Sequence, residues 1–349
     1  MPRPESPLKK LFDRWDSGLP SNAPRRRGIF FNTSGEEAKG IVDVLRWQLQ
    51  FTRVLWPREV ANKRFDPVAP AAGPEGFALH FINHSSFLIQ CGITNILVDP
   101  VFSERTSPVQ WLGPRRVRRP GFPKEQLPKI DLVLLSHNHY DHMDMPFLRW
   151  LAARQDCTFL VALGDAQLMV DAGIHRVREF DWWESVTMPD ASVKCTFTEV
   201  QHFSGRSVHD RNRSLWGGWM IDSPQGRIYF AGDTGYGPHF AKTAEKLGPP
   251  DLALLPIGAY EPRWFMRNVH MNPDDAVRAH LDLNAAQSVG MHWGTFQLTD
   301  EAIDQPETDL AEALRQRQVP AANFVLLEPG ERRSWALRCS SVGRASSSS

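Results

Sequence analysis

The sequence predicts an α/β protein in which two β-sheets pack together and helices cover their outer faces. Short β-favouring runs fill the chain from residue 77 to about residue 100, and another follows at 131–136. Beyond that point, strands alternate with segments of helical periodicity. A length of 349 residues allows two domains. We instead expect an N-terminal extension over 1–76, a single sandwich domain over 77–338 and a flexible tail over 339–349, because the candidate site residues come from strands across most of the chain.

The elements follow in order. Residues 41–56, IVDVLRWQLQFTRVLW, place apolar side chains at helical spacings and predict an amphipathic helix that Pro57 ends. A loop rich in proline and arginine is expected over 102–129. Strands are predicted at 78–83, 86–91, 94–100, 131–136, 194–200, 216–222, 227–231, 251–256, 287–291 and 323–328, and helices near 145–154, 165–173, 238–247, 274–283 and 308–317.

Composition excludes several classes of protein. Hydrophobic residues make up 42% and charged residues 23% of the chain, which excludes bulk disorder. Forty basic residues balance forty acidic ones, which argues against a protein that mainly grips nucleic acid. We expect neither a signal peptide nor a transmembrane helix, since no segment has the required apolar run. The four cysteines form no CxxC pair and are expected to be buried free thiols, which suits a cytoplasmic location.

The strongest chemical signal follows the apolar strand DLVLLS (131–136). It reads HNHYDH and places His137, His139, Asp141 and His142 within six residues. Two histidines that are two residues apart on an extended backbone point to the same side and can hold one ion, while Asp141 and His142 at the turn can face a second. Imidazole and carboxylate are suitable ligands for zinc. The alternative is a solvated loop that is merely rich in histidine.

Three further segments supply candidate ligands. His202 lies in EVQHFSGR, Asp233 directly follows the strand RIYF, and His292 follows the apolar start of SVGMHWGTF. As alternatives, His202 is a surface-loop residue and Asp233 a turn former. The set predicts one ion bound by His137, His139 and His202, another bound by Asp141, His142 and His292, and Asp233 between the two.

The order of these motifs resembles the metallo-β-lactamase superfamily, which implies an αββα sandwich. ITNILVDP (93–100) is similar to an early strand and turn of that superfamily, and Asp99 in this turn would support the site without binding metal. His84 is expected to play a supporting role as well. A closer set of runs resembles N-acyl-phosphatidylethanolamine-hydrolysing phospholipase D, from about residue 77 to about residue 330: SHNHYDHMD, FDWWE, LWGGW, FAGDTGYGP, IGAYEPRWFM, NPDDAVRAH and MHWGTF.

That resemblance implies a binuclear zinc phosphodiesterase that releases an N-acylethanolamine and phosphatidic acid. The expected catalytic residues are Asp141, Asp233, His270 and Tyr140, of which the last two would contact the phosphate or assist the leaving group. As alternatives, His270 is a surface residue at a helix start and Tyr140 a packing residue. The expected nucleophile is a hydroxide that bridges two Zn²⁺ ions, with iron or manganese as alternative metals.

A phospholipid substrate also predicts peripheral contact with the cytoplasmic face of a membrane. The helix over 41–56 would lie on the interface with Trp47 and Trp56 near the headgroups. Arg115, Arg116, Arg118 and Arg119 would attract anionic lipid. The alternatives are a helix that packs on the sandwich and a solvated loop with carboxylate partners. A homodimer is left open.

Three other functions share parts of this pattern. A metallo-lactonase or another small-molecule metallohydrolase would use every predicted metal ligand. A nuclease of the same fold fits less well, because the net charge is zero and no added nucleic-acid-binding domain is seen. A non-enzymatic binding module fits least well, since a degenerate site would normally have lost some ligands.

Overall fold

The computed structural model describes residues 21–50, 53–66, 68, 76–188, 193–207 and 209–335. Its strands are β1 (Arg25–Arg26), β2 (Ile29–Phe30), β3 (Phe77–Asn83), β4 (Ser86–Cys91), β5 (Thr94–Val98), β6 (Leu132–Leu134), β7 (Thr158–Ala162), β8 (Val177–Phe180), β9 (Ser185–Thr187), β10 (Lys194–Thr198), β11 (Gly218–Ser223), β12 (Gly226–Phe230), β13 (Leu252–Pro256), β14 (Gln287–Met291), β15 (Phe324–Val325) and β16 (Arg332–Trp335). Its α-helices are α1 (Ile41–Gln48), α2 (Met145–Ala152), α3 (Ala166–Asp171), α4 (His239–Leu247), α5 (Arg263–Met266), α6 (Pro273–Asp282) and α7 (Gln305–Gln316).

Two mixed sheets of seven strands form the body of the protein, and β1 and β2 make a separate hairpin. The first sheet has the order β16-β3-β4-β5-β6-β7-β8 and the second β15-β14-β13-β12-β11-β10-β9. In the first sheet, β3, β4 and β5 pair antiparallel and β5 to β8 pair parallel. The second sheet repeats this plan, because β9 to β12 are antiparallel and β12 to β15 are parallel. The predicted fold class, an α/β sandwich of two sheets, is confirmed.

Alternation along the strands explains the layers. In β4, Ile89 belongs to a buried apolar cluster shared by both sheets, whereas Leu88 belongs to a second cluster with Phe147 and Leu151 of α2. Successive strand side chains point to opposite faces, so a strand buried on both faces reads as an unbroken apolar run. That is why β4 and β5 are clear in the sequence.

Several strands were not predicted from the sequence pattern. β8, β9 and β16 are edge strands of the two sheets, whereas β7, TFLVA, is an apolar strand inside the first sheet that was also missed. In β16 the exposed and half-buried residues alternate, so its sequence RRSW carries no apolar run. The predicted strand at 323–328 is reduced to Phe324–Val325, and the short helix α5 was also missed.

The predicted helix over 41–56 is wrong in its extent. α1 ends at Gln48, and residues 53–66 are not helical. The tail over 339–349 lies outside the described residues, and the division of the chain at residues 76 and 338 stays a prediction.

Candidate metal centre

The strand directions bring the predicted ligands to one edge of the sandwich. In the first sheet β3, β5 and β6 run the same way, as do β10, β12 and β14 in the second. Their carboxyl ends therefore lie at common edges, which is where α/β folds place their sites. The side chains that follow these strand ends are His84, Asp99, His137, His139, Asp141, His142, His202, Asp233 and His292.

Close glycine contacts make these turns possible. Gly232 precedes Asp233 with φ +60°, and a Cβ atom there would lie 2.7 Å from Cβ of Ser136. A Cβ atom on Gly258 would lie 2.1 Å from the carbonyl oxygen of His292. Only a residue without a side chain fits either position. Gly232 lets a loop of the second sheet approach a loop of the first, and Gly258 lets two neighbouring loops of the second sheet approach each other.

The first group of ligand atoms comes from three histidines. Nε2 of His137 lies 2.8 Å from Nδ1 of His139, and Nε2 of His202 lies 3.3 Å from the same Nδ1 atom. Each of the three histidines offers one ring nitrogen, and these nitrogens lie within 4.8 Å of one another. This is the trio that the sequence assigned to one ion.

The second group joins both sheets. His84, Asp141, His142 and His292 offer atoms within 4.8 Å of one another. Oδ2 of Asp233 lies 3.0 Å from Nε2 of His292, 3.2 Å from Nε2 of His142 and 3.8 Å from Nε2 of His202. Asp233 thus lies between the two groups, and its predicted role as a ligand shared by two ions stays a prediction.

The unpaired atoms of this cluster fit a bound cation. Among the described residues, His142 Nε2, Asp233 Oδ1 and His292 Nε2 are buried and make no hydrogen bond. Such orphaned buried polar atoms are costly unless another partner satisfies them. Nitrogen and oxygen lone pairs that converge without hydrogen-bond geometry are the arrangement expected of ligands around a divalent metal, so these residues fit a metal-dependent site.

Asp99 holds His142 and Ser136 in place through hydrogen bonds. Its Oδ2 atom accepts from Nδ1 of His142 at 2.6 Å and from the Ser136 hydroxyl at 2.5 Å, while Oδ1 accepts from the Ser136 amide at 2.8 Å. A carboxylate behind a ligating histidine fixes the tautomer and the ring direction. The supporting role expected for Asp99 agrees with this geometry.

His84 has a similar position on the other side. Its Nε2 atom lies 3.1 Å from Oδ2 of Asp141, and its ring packs against that of His292. Burial and the neighbouring His292 lower the pKa of His84 to about 3, so the ring is neutral. A neutral imidazole that donates to Asp141 orients the carboxylate without competing for the metal.

Burial and charge set the protonation of the other groups. Burial lowers the pKa of His139 to about 3 and that of His202 to about 4. Burial acts in the same direction on His292, but the carboxylates of Asp233 and Asp141 outweigh it and raise the pKa to about 9. Burial would raise the pKa of Asp233, yet His142 and His292 hold it well below its ordinary value. The carboxylates of Asp233 and Asp141 thus stay negatively charged, and positive charge beside them stabilises them.

The two residues predicted to assist the leaving group lie beside the cluster. Nδ1 of His270 is 3.9 Å from Oδ2 of Asp233 and makes no hydrogen bond with the described residues. The hydroxyl of Tyr140 instead donates to the carbonyl of Arg206 at 3.0 Å, and the Arg206 guanidinium lies 3.9 Å from the ring centre. His270 is therefore free to meet a substrate, whereas the Tyr140 proton is already engaged.

A cavity of about 390 Å³ opens above the cluster. His139, Asp141, Asp233 and His270 reach its floor, and apolar side chains of α1, α5 and the following loops form its walls. No role was predicted from the sequence for four of the lining residues, Lys39, Val44, Thr106 and Leu298. They come from segments far apart in the chain, so no single local motif indicates them.

Two predictions about a lipid-facing surface need correction. Trp47 is buried and its Nε1 donates to Asp300, while Nε1 of Trp56 donates to the carbonyl of Glu301. Neither indole is available to lipid headgroups in this arrangement. The helix α1 instead exposes Val42, Leu45 and the adjacent Leu49.

The four arginines do not form a free cationic patch. Arg116 is buried and donates to the carbonyls of Val101 and Ser103. The other three face acids, since Arg115 lies 3.4 Å from Glu104, Arg118 3.1 Å from Glu328 and Arg119 3.5 Å from Glu59. Among the described residues, no helix is long and apolar enough to cross a membrane.

Comparison with known proteins gives the class of this protein. A model described as a β-lactamase superfamily domain matches residues 94–293. The chain belongs to the β-lactamase superfamily, and it is a metal-dependent hydrolase of that fold. The structure of a novel metallo hydrolase from the archaeon Ignicoccus hospitalis superposes with a TM-score of 0.57 at 21% identity, covering 75% of this chain and 99% of that chain, which supports the fold.

Curated relatives indicate which members of the superfamily the chain resembles. N-acyl-phosphatidylethanolamine-hydrolyzing phospholipase D 1 of Caenorhabditis elegans is 36% identical over 267 residues, which is 73% of this chain and 75% of the worm protein. An uncharacterised protein of Mycobacterium tuberculosis is 37% identical over 283 residues, covering 77% of this chain and 75% of that protein. The resemblance predicted from the motifs is confirmed: this is a member of the superfamily similar to that phospholipase D.

Proposed function

We propose that the protein is a binuclear zinc phosphodiesterase that hydrolyses N-acyl-phosphatidylethanolamine or a closely related phospholipid. The observation that carries the proposal is that the seven candidate ligands lie together beneath a cavity with largely apolar walls. The similarity to the worm phospholipase D supports the substrate class.

The ligand set suits two ions. His137, His139 and His202 would hold one, while Asp141, His142 and His292 would hold the other, with Asp233 shared between them. Imidazole and carboxylate donors favour zinc, and iron or manganese can use the same geometry. Zinc bound here would polarise the phosphoryl oxygens and make a water molecule a nucleophile near neutral pH.

The chain's own residues then orient the substrate. Nδ1 of His270 lies 3.9 Å from Oδ2 of Asp233 and has no hydrogen-bond partner in the described part of the chain, so it can donate to an oxygen of the phosphodiester. Lys39 and Arg211 are the cations among the described cavity residues other than histidine, and they attract the phosphodiester anion. The apolar walls accept acyl chains and exclude water, which strengthens each of these charge interactions.

The reaction breaks the bond between phosphorus and the oxygen of the ethanolamine group. The oxygen of water becomes bonded to phosphorus, which leaves phosphatidic acid. The proton that the attacking water gives up is transferred to the departing oxygen, which leaves as an N-acylethanolamine. Because burial holds the pKa of His270 well below its ordinary value, its ring is neutral and serves this step as a hydrogen-bond donor.

Access to such a lipid requires contact with a membrane surface. We place this contact at an apolar rim, defined as Val42, Leu45 and Leu49 on and directly after α1, whose exposed fractions are 75%, 58% and 73%. α1 contributes Val44 and Trp47 to the cavity wall, so its exposed side lies next to the cavity mouth. An amphipathic surface of this kind can rest in the headgroup region without spanning the bilayer.

The test is direct. Purified protein with a measured metal content is incubated with N-acyl-phosphatidylethanolamine vesicles, and the products are identified by mass spectrometry. We expect N-acylethanolamine and phosphatidic acid in equal amounts, and none after removal of metal with a chelator. If no N-acylethanolamine forms at any metal loading while soluble lactones are turned over, the protein is a metallo-lactonase and the phospholipid proposal is wrong.

A further inference from the structure

A segment before α1 crosses the loops that carry the candidate ligands. This strap, defined as residues 32–39, contacts the chain at several separate points: its start lies against His202, its middle against Gln201 and Asn268, and its end lines the cavity. The sandwich resemblance begins only at about residue 77. The strap is therefore an addition that reaches the site from outside the predicted catalytic domain.

Asn32 makes the central contact. Its side chain is buried and holds both backbone groups of His202: Nδ2 donates to the His202 carbonyl at 2.9 Å, and Oδ1 accepts from the His202 amide at 3.1 Å. The same amide group donates to the Glu36 carbonyl at 2.8 Å and accepts from Nε1 of Trp216 at 3.1 Å. Every hydrogen-bonding position of this side chain is thus in use.

The ring of His202 depends on that backbone. Its Nδ1 atom lies 2.8 Å from the carbonyl of Val269, and its Nε2 atom faces His139 at 3.3 Å. His202 follows β10 on a loop without regular structure, so no sheet ladder fixes its main chain. The amide of Asn32 supplies the missing pair of hydrogen bonds.

Neighbouring strap contacts reinforce the same loops. The hydroxyl of Ser34 donates to Oε1 of Gln201 at 2.7 Å, and Nε2 of Gln201 donates to the carbonyl of Asn268 at 2.8 Å. Nδ2 of Asn268 in turn donates to the carbonyl of Glu37 at 3.1 Å. These bonds connect the loop of His202 with the loop that leads to His270.

We propose that Asn32 is a positioning residue for the metal centre, which sets the direction of the His202 ring by fixing its backbone. The inference rests on the proposed role of His202 as a metal ligand. Partners that orient ligands typically change metal affinity or activity by about 10–100-fold when they are lost. Because the bonds go to the backbone of His202, replacement of Asn32 acts on the geometry of the site and not on the number of ligands.

The test compares Asn32→Ala with Asn95→Ala. Asn95 is also buried, and its side chain also joins two partners, donating to the carbonyl of Lys129 and accepting from Gln90, but it lies at the opposite end of the strands. Both variants lose hydrogen bonds of similar kind, so both should melt earlier. Zinc affinity is measured by competition with a chelator, and the absorption spectrum of the cobalt-substituted protein reports on ligand geometry.

We expect Asn32→Ala to lower zinc affinity about 10–100-fold and to alter the cobalt spectrum, and Asn95→Ala to leave both unchanged. Wild-type affinity and spectrum in Asn32→Ala, or equal losses in the two variants, would overturn the inference. If Asn32→Ala does not fold, Asn32→Asp takes its place, since it keeps the shape and the acceptor but cannot donate to the His202 carbonyl. His202→Ala, measured in parallel, separates the two claims: normal zinc binding there defeats the ligand assignment itself.

Discussion

The floor of the cavity and its mouth differ in almost every physical respect. On the floor, buried imidazoles and carboxylates crowd together, and Oδ2 of Asp233 has His142 and His292 within 3.2 Å. At the mouth, α1 and the loop around Leu298 present apolar side chains, several of them exposed. Asp99 and Ser136 support the floor through hydrogen bonds, whereas hydrogen bonds such as that from Trp47 to Asp300 attach the mouth segments to the loops around them.

The difference separates chemistry from substrate choice. Apart from His270, which follows α5, the floor consists of residues that follow sheet strands. All of these residues lie in the segment that matches the superfamily model, and many reactions are compatible with such a centre. The mouth is formed partly by residues 38–47, which lie before that segment. Changes on the floor should therefore affect every substrate, while changes at the mouth should affect only substrates presented in a membrane.

The largest effect is expected for Asp233→Asn. The amide keeps the shape of the side chain but removes the negative charge shared by both predicted ions, so metal content should fall and turnover should drop about 1000-fold or more, equivalent to several kcal/mol of transition-state stabilisation. Metal content is measured by mass spectrometry and turnover with both vesicles and a soluble phosphodiester. Asp274→Asn, an exposed acid paired with Arg317, is the control and should retain activity. Normal turnover in Asp233→Asn would remove Asp233 from the centre.

A smaller effect, a loss of metal affinity, is expected for Asp99→Asn, which changes a residue that supports the floor. Asp99 accepts from three donors, and an amide can offer only one acceptor atom, so one N–H group must face the donors of His142 or Ser136. We expect about 10–100-fold weaker metal binding. Asp144→Asn is the matched control, because that buried carboxylate also accepts from several donors but supports α2 instead of a predicted ligand. Equal metal affinities in the two variants would contradict the supporting role of Asp99.

The sequence predicted the floor far better than the mouth. Central strands buried on both faces, such as β6 and β13, leave unbroken apolar runs, and the carboxyl ends of the parallel strands identify where ligands can meet. Edge strands such as β16 carry no such run, which is why they escaped prediction. Spacing within HNHYDH is local information, whereas the contact between Asn32 and His202 spans 170 positions and leaves no local trace.

The errors at the mouth have a common physical cause. Apolar periodicity in 41–56 predicted a longer helix, but residues 53–56 bond across to the chain around Asp300 in place of continuing the turns of α1. Likewise, the sequence shows that Arg116 is basic but not that it is buried between two carbonyls. Whether a side chain faces a membrane or the interior is decided by tertiary contacts that composition does not report.

The mouth itself is tested by Leu45→Asp combined with Leu49→Asp. Burial of one leucine side chain is worth about 1.5–3 kcal/mol, so partial insertion of the pair gives an expected loss of about tenfold in vesicle binding and in turnover of vesicle lipid. Turnover of a soluble phosphodiester should not change. Arg115→Ala combined with Arg119→Ala is the control, since both guanidiniums already face carboxylates. If vesicle binding falls in the arginine variant but not in the leucine variant, the membrane contact lies at the arginine loop and not at α1.

The smallest effect is expected where floor and mouth meet, at Tyr140. Tyr140→Phe keeps the ring on which Arg206 stacks and removes only the hydrogen bond to the Arg206 carbonyl. Such a bond is worth about 0.5–1.5 kcal/mol of stability, and we expect kcat to fall less than about threefold. If the hydroxyl instead turned toward the phosphoryl group during the reaction, its loss would cost about 100-fold or more in kcat, as it does for donors that meet developing charge. A steady-state comparison of kcat between Tyr140→Phe and the parent therefore decides whether Tyr140 belongs to the reacting floor or to the wall that Arg206 stabilises.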